Sequence, residues 1–321
     1  MTSPDGASAA AIHQYTRHTA ASDLDGQDIE GLELAVHSLA ATYSARTPQE
    51  LWPVAAAHRH QAAQLLNGTR HTLRQGREIA HHAGMLSVIL AWIAHDLGRR
   101  DLVAALHDDA WYHGEESGSP EVCAWAENVA CTDALYDDRP LDALAAATRG
   151  LAVAPRDGNA AIWLSAQLSR VHARLGNREA FAEAAARTRR YRDRIPQHGG
   201  GLFSVDAARL PSYDASSYGW LGQHELSREA AIEAISYYRT SPDAQQAPTR
   251  KAVAELDLAL AHAALGEPTG AITTARQALH NGRTVQSVLG RVHHLRRSLL
   301  TRYPALPEVT AFNEEVRSIT A

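Results

Sequence analysis

Cysteine is almost absent from this 321-residue chain, which has only Cys123 and Cys131. Eight residues apart on a helix, they lie about 12 Å from each other at ~1.5 Å per residue, too far for a disulfide. A reducing, cytoplasmic setting is expected. Long apolar runs are missing as well. The longest, Gly84 to Ala94, falls short of the ~18 residues needed to cross a bilayer. The opening MTSPDGASAAAIHQYTRH has no basic region leading into an apolar stretch, so neither secretion nor membrane insertion is expected. Positive charge is in deficit: 31 Lys+Arg against 36 Asp+Glu leave a net charge of −5, without the cationic field that non-specific binding to DNA or an acidic membrane requires. Lys251 is the sole lysine. A bias of that kind follows GC-rich coding and lowers the weight of any arginine cluster.

What remains is 45% hydrophobic and 21% charged, a globular balance that excludes collagen-like and disordered chains. Alanine and leucine recur at helical spacing almost throughout, and no stretch alternates β-branched residues, so the chain is expected to be all-α. Thr47-Pro48-Gln49-Glu50 offers a capping hydroxyl, a proline at the first helical position and a glutamate that reaches back. Ser119-Pro120 repeats the first two features, which predicts helix starts near 48 and 120.

Helix stops are marked by Leu-Gly pairs ending at Gly98, Gly176, Gly222 and Gly266, with Asp138 in the equivalent place between the first two. Around these five marks side-chain size repeats. Seven residues before them stand Ala91, Cys131, Ser169, Ala215 and Ala259, and twelve after stand Ala110, Gly150, Thr188, Ala234 and Ala278. Five after stand Val103, Ala143, Phe181, Ser227 and Ala271, small except for Phe181. Small residues at fixed points on both members of a helix pair let the backbones approach closely.

That pattern resembles the tetratricopeptide (TPR) repeat family, with units longer than its usual ~34 residues. The resemblance implies a TPR-like, right-handed α-solenoid of antiparallel helix pairs, about fourteen helices in all. The phrases GLELAVHSLAATY, TPQELWP, LSVILAWIAHDLG, LYDDRPLDALA, GGGLFSVDAARL, YGWLG and LDLALAHAALGEP resemble, in that order, the C-terminal repeat region of actinobacterial XRE-family helix-turn-helix regulators. About 25 residues precede the first confident helix, fewer than a helix-turn-helix domain uses, so the resemblance implies an effector or assembly module rather than a direct DNA binder. The expected organisation is a flexible lead over 1–27, with a short helix at Ala7 to Ala20, and a helical cap over 28–77. Five helix-pair repeats follow over 78–283, and capping helices broken by Pro304 and Pro307 close the chain over 284–321. His198-Gly199-Gly200-Gly201 is expected to be a joint, and a hinge for opening and closing of the superhelix.

In a TPR-like stack the first helix of each pair lines the concave surface. That geometry nominates Trp92, His95 and Asp96 from the first unit, Trp125, Asn128, Thr132 and Tyr136 from the second, and Trp163, Gln167, Arg170 and Arg174 from the third. Arg209, Tyr213, Ser216 and Trp220 follow from the fourth, and Leu256, Asp257 and Leu260 from the fifth. Aromatic, amide and arginine side chains suit an extended peptide, a protein segment or a small effector with an acidic group. In the competing reading Trp92 packs in the core, Trp125 and Trp163 cover helix seams, and Arg170 and Arg174 form a solvated i, i+4 face.

Other chemistry finds less support. Eighteen histidines are conspicuous, yet no His-Glu-x-x-His or paired Glu-x-x-His spacing occurs, and the best remaining metal grouping is His107-Asp108-Asp109 with His113. No Gly-x-Ser-x-Gly elbow or local cysteine signature is present, and Cys131 at a small-residue position is expected to be buried and inert. Gly199 to Asp206 lacks the flanking residues of a nucleotide-binding loop. It reads as a turn between units, or as a loop over the groove carrying Phe203 and Asp206. The basic runs at Arg187–Arg194 and Arg291–Arg297 read as solvated convex faces. The expected function is a non-enzymatic regulatory sensor, linked to transcription through the resemblance, with no metal or cofactor and no direct nucleic-acid contact. A regulator acting through a helix-turn-helix partner and an enzyme built on the same scaffold are the alternatives.

Overall fold

The computed structural model describes residues 9–193, 201–240, 247–281 and 285–320, and among these it contains fifteen α-helices and no strand. They are α1 (Ala9–Ala20), α2 (Gly26–Thr42), α3 (Pro48–Gly68), α4 (Leu73–Asp96), α5 (Arg100–Ser117), α6 (Pro120–Tyr136), α7 (Pro140–Val153) and α8 (Asn159–Arg174). The second half holds α9 (Arg178–Arg192), α10 (Arg209–Trp220), α11 (His224–Thr240), α12 (Pro248–Leu265), α13 (Pro268–Asn281), α14 (Gln286–Arg302) and α15 (Pro307–Thr320). The expected joint at His198–Gly200 lies outside the described residues.

Both expected helix starts are present. At α3 the capping box closes: the Glu50 backbone N–H donates to the Thr47 hydroxyl and the Thr47 N–H donates to the Glu50 carboxylate at 2.8 Å. At α6, Pro120 opens the helix but Ser119 does not cap it, because its hydroxyl pairs with His81 Nδ1 at 3.0 Å across the α4–α6 contact.

All five marks adopt the left-handed conformation, Gly98 at φ 70°, Asp138 at 56°, Gly176 at 75°, Gly222 at 73° and Gly266 at 92°. Asp138 is the only non-glycine with positive φ among the described residues, which is consistent with the tolerance of aspartate for that region. Each mark separates two helices that pack on each other, α4 with α5, α6 with α7, α8 with α9, α10 with α11 and α12 with α13. Every one of the fifteen aligned positions is buried, Phe181 included. Close approach is extreme at Gly150, where an added Cβ would stand 2.7 Å from Leu164 Cδ2 and 3.0 Å from Glu127 Cβ.

The first helices of the pairs also touch in succession: α4 meets α6, α6 meets α8, α8 meets α10, α10 meets α12 and α12 meets α14. The last of them then returns to the first two, since α14 contacts both α4 and α6. Arg291 of α14 donates to the Tyr136 hydroxyl of α6 at 2.8 Å, joining residues 155 apart in sequence. The first helices of the pairs and α14 therefore surround a common interior.

Candidate functional site

The helices that meet around this interior line a partly open cavity of about 110 Å³, room for several waters or a small molecular group. Trp92, His95 and Asp96 enter it from α4, Thr132 and Tyr136 from α6, Trp163 and Arg170 from α8, and Arg209, Ser212 and Tyr213 from α10. Tyr43 and Ser44 follow α2, and Thr249, Arg250 and Val253 enter from α12.

Three guanidiniums converge here. Arg170, 2% exposed, lies over the Tyr213 ring at 4.5 Å and near the rings of Trp220 at 5.4 Å and Tyr136 at 5.8 Å. Its Nη1 donates to the Gln167 amide oxygen at 2.8 Å, and that amide donates to the Thr132 hydroxyl, so α6 and α8 jointly set its position. Arg209 stacks on Trp163 at 4.1 Å from the ring centroid and makes no hydrogen bond or ion pair to the described residues. Arg250 is the one with a carboxylate, donating to Asp206 at 2.8 Å and to the Gly201 carbonyl at 2.7 Å.

The electrostatics reflect that crowding. Burial and the neighbouring Arg209 hold the Arg250 guanidinium below its ordinary range despite Asp206. Burial pushes the Tyr136 phenol up, but Arg291 and Arg170 beside it outweigh burial and hold it below the usual tyrosine range. Tyr213 is shifted upward, because burial dominates over Arg209 and Arg170. The shifts of Arg250 and Tyr136 have the direction that neighbouring positive charge imposes, whereas that of Tyr213 is set by desolvation.

Five buried polar atoms without a protein partner belong to residues lining this cavity: Trp92 Nε1, His95 Nε2, Arg170 Nε, Arg209 Nε and Thr249 Oγ1. Three of these, on Trp92, Arg170 and Arg209, can only donate. His95 donates or accepts according to its protonation, since its Nδ1 is paired with the Asp133 carboxylate at 3.0 Å. Asp96 is engaged from the opposite side, accepting from the Tyr43 hydroxyl at 2.7 Å. Hydroxyl-bearing side chains along the wall, among them Ser44, Thr132, Ser212 and Thr249, both donate and accept.

Of the residues nominated from the sequence, Trp92, His95 and Asp96, Thr132 and Tyr136, Trp163 and Arg170, and Arg209 and Tyr213 meet in the cavity. Trp125, Asn128 and Gln167 are at most 1% exposed and are not among its lining residues. Trp125 packs against Trp163 and Phe203, with ring centroids at 6.0 and 5.0 Å. Gln167 acts one step back, by holding Arg170. Arg174 and Trp220 face a second hollow described below. The solvated-face alternative fails for Arg170, which is buried, and fits Arg174, which is 37% exposed and paired with Asp138.

Sequence reasoning missed Tyr43, Leu202, Tyr238 and Arg250. Arg250 lies sixteen residues before the mark at 266, nearly two turns ahead of Leu256, the first residue nominated in that unit. The others reach the cavity from elements outside the first helices. The Gly201–Asp206 stretch, read as a turn or a covering loop, is anchored: Leu202 N–H donates to the Ala40 carbonyl at 2.9 Å and Trp163 Nε1 to the Ser204 carbonyl at 3.2 Å. Gly201 sits at φ 117°, and a Cβ there would stand 2.9 Å from the Ala40 oxygen, so only glycine fits.

The metal grouping is otherwise occupied. Asp109 receives a bidentate contact from Arg59 at 2.7 and 3.0 Å and a hydrogen bond from Ser87 at 2.5 Å, while His113 Nε2 lies 2.8 Å from the same guanidinium. No cluster of three metal-ligating side chains occurs among the described residues. Cys131 is fully buried, and burial pushes its thiol up to about 12, which makes it a poor nucleophile. No helix among the described residues is long and apolar enough to cross a membrane. No family model matches the chain, and neither does any curated protein.

Proposed function

We propose that this chain is a non-enzymatic sensor that binds a small anionic, acceptor-rich effector in the central cavity. The observation that carries this reading is the buried Arg170 and the partly buried Arg209, both without carboxylate partners and each with a buried, unpaired Nε, beside three further unsatisfied polar atoms. A buried unpaired charge costs several kcal/mol, and an anion with several acceptor oxygens would offset that cost while the flanking tryptophan and tyrosine rings hold its apolar part. A cavity of about 110 Å³ favours a small effector over the extended peptide expected of a long groove. The finer architecture, a TPR-like right-handed α-solenoid whose ends have met, belongs to the same proposal and is supported by the left-handed marks and the packed pairs. Transcriptional output, through a partner that carries a helix-turn-helix domain, rests on the resemblance to XRE-family regulators.

Native mass spectrometry of the protein purified from its own host, before and after mild denaturation, tests the proposal. A small anionic mass retained by the wild type, released on denaturation and absent from Arg209→Gln is the expected result. A clean apo mass with a co-purifying protein would replace it with a docking role.

One observation favours a second reading, catalysis. His95 lines the cavity with Nδ1 held by Asp133 and Nε2 without a partner, the arrangement of an oriented general base. If a retained ligand is bound equally well by His95→Gln but accumulates unchanged only in that variant, the enzymatic reading prevails.

A further inference from the structure

Behind the wall formed by Tyr136, Arg170 and Arg291 lies a second hollow of about 310 Å³, bounded by α8, α10, α12 and α14. Its charges do not balance. Arg174, Arg291, Arg297 and Arg302 line it, against the two carboxylates of Asp138 and Asp257. Both carboxylates are committed, Asp138 to Arg174 at 2.5 Å and Asp257 to Arg291 at 2.7 Å. Arg302 donates only to the main-chain carbonyls of Ala263 and Ala264 near the end of α12, at 3.5 and 3.1 Å. Arg297 has no hydrogen bond or ion pair among the described residues, and its side chain is exposed to the hollow's solvent.

The arrangement is built by one helix. Arg291, His294, Ser298 and Arg302 follow at spacings of three, four and four, which places them on a single face of α14 with Arg297 at its flank. A protein group records the resulting field: partial burial, then Arg297, Arg174 and Arg291, hold the His294 imidazole below its ordinary pKa. The surplus is local, because the chain as a whole carries −5.

We propose that this hollow is a second anion site, separate from the central cavity, and that it takes a phosphate monoester or diphosphate group. The surplus of two guanidiniums matches the charge of about −1.5 to −2 that a phosphate monoester carries near neutral pH. Guanidinium forks and a hydroxyl, supplied by Arg297, Arg302 and Ser298, suit the tetrahedral arrangement of its oxygens better than a planar carboxylate. The proposal is independent of what fills the central cavity.

Isothermal titration of the full chain with inorganic pyrophosphate and with inorganic phosphate, at low ionic strength, tests it. Saturable one-to-one binding of pyrophosphate is expected, weakened roughly tenfold in Arg297→Gln, the loss of one charge-assisted contact, and unaltered in Arg209→Gln. Arg297 is exposed and unpaired, so its replacement leaves the fold intact, which a thermal melt verifies. No saturable heat up to about 10 mM, or equal affinity in Arg297→Gln and wild type, would overturn the proposal. Equal weakening by both substitutions would overturn it as well, since the bound anion would then belong to the central cavity.

Discussion

A guanidinium held out of water without a carboxylate is costly; Arg170 is buried and Arg209 partly buried, both with aromatic faces as their main company. Cation–π contact recovers part of the cost, ~2 kcal/mol when desolvated. Histidine supplies a second residue-scale effect. Burial first, then His81 and His37, lower His82 from 6.5 to about 4, with Glu33 of α2 opposing. A folded-state pKa below the unfolded one means that this contribution is complete above pH 6.5 and is lost as pH falls toward 4. Chemical denaturation across that range should show stability declining with acidity, and His82→Gln should flatten part of the decline. A profile unchanged by the substitution would show that α2 and α4 do not sense this imidazole. At this scale the sequence exposed which residue types could meet, Trp163 with Arg170 and Arg209, but could not expose Arg250, whose place depends on where α12 lies against α10.

At the scale of the element, local signals were strong. Threonine, proline and glutamate set the start of α3 through hydrogen bonds confined to four residues, and left-handed residues ended the first helix of every pair, so these features needed no tertiary context. The small positions were legible for the same reason: a helix pair joined by a short turn can pack only if its facing side chains leave room. Phe181 breaks the size rule yet is buried, its ring 5.5 Å from that of Tyr218, so a larger side chain fills the space between α9 and α10. Ala259 is fully buried where α12 packs on its neighbours. Ala259→Leu should overpack that contact and lower stability by roughly 1–3 kcal/mol, read as a shift of the urea midpoint at unchanged slope. An unshifted midpoint would refute the close-approach argument. Ser119 shows the limit of local reading, because its hydroxyl prefers His81 across a helix contact to the cap of its own helix.

The whole molecule is decided by its closure. Arg291 joins α14 to Asp257 of α12 and to Tyr136 of α6, and the Arg291–Asp257 pair is buried on both sides. Removing one partner of such a pair leaves an uncompensated buried charge, so Asp257→Ala should cost about 3–5 kcal/mol. The exposed pair Arg276–Glu315 provides the contrast: Glu315→Ala should cost less than about 1 kcal/mol. Comparable losses in the two variants, measured by denaturant unfolding, would mean that the closure is not held by this buried pair.

The sequence by itself determined that the chain is helical, where α3 and α6 begin, where the first helix of each of five pairs ends, and which small residues face their pair partners, because those properties depend on contacts within a few turns of each other. The contact of α14 with α6, the central cavity and its cluster of guanidiniums depend on residues far apart in the chain, such as Tyr136 and Arg291. Their meeting follows from how successive helices pack on one another, which no local pattern records. Only the tertiary structure decided it.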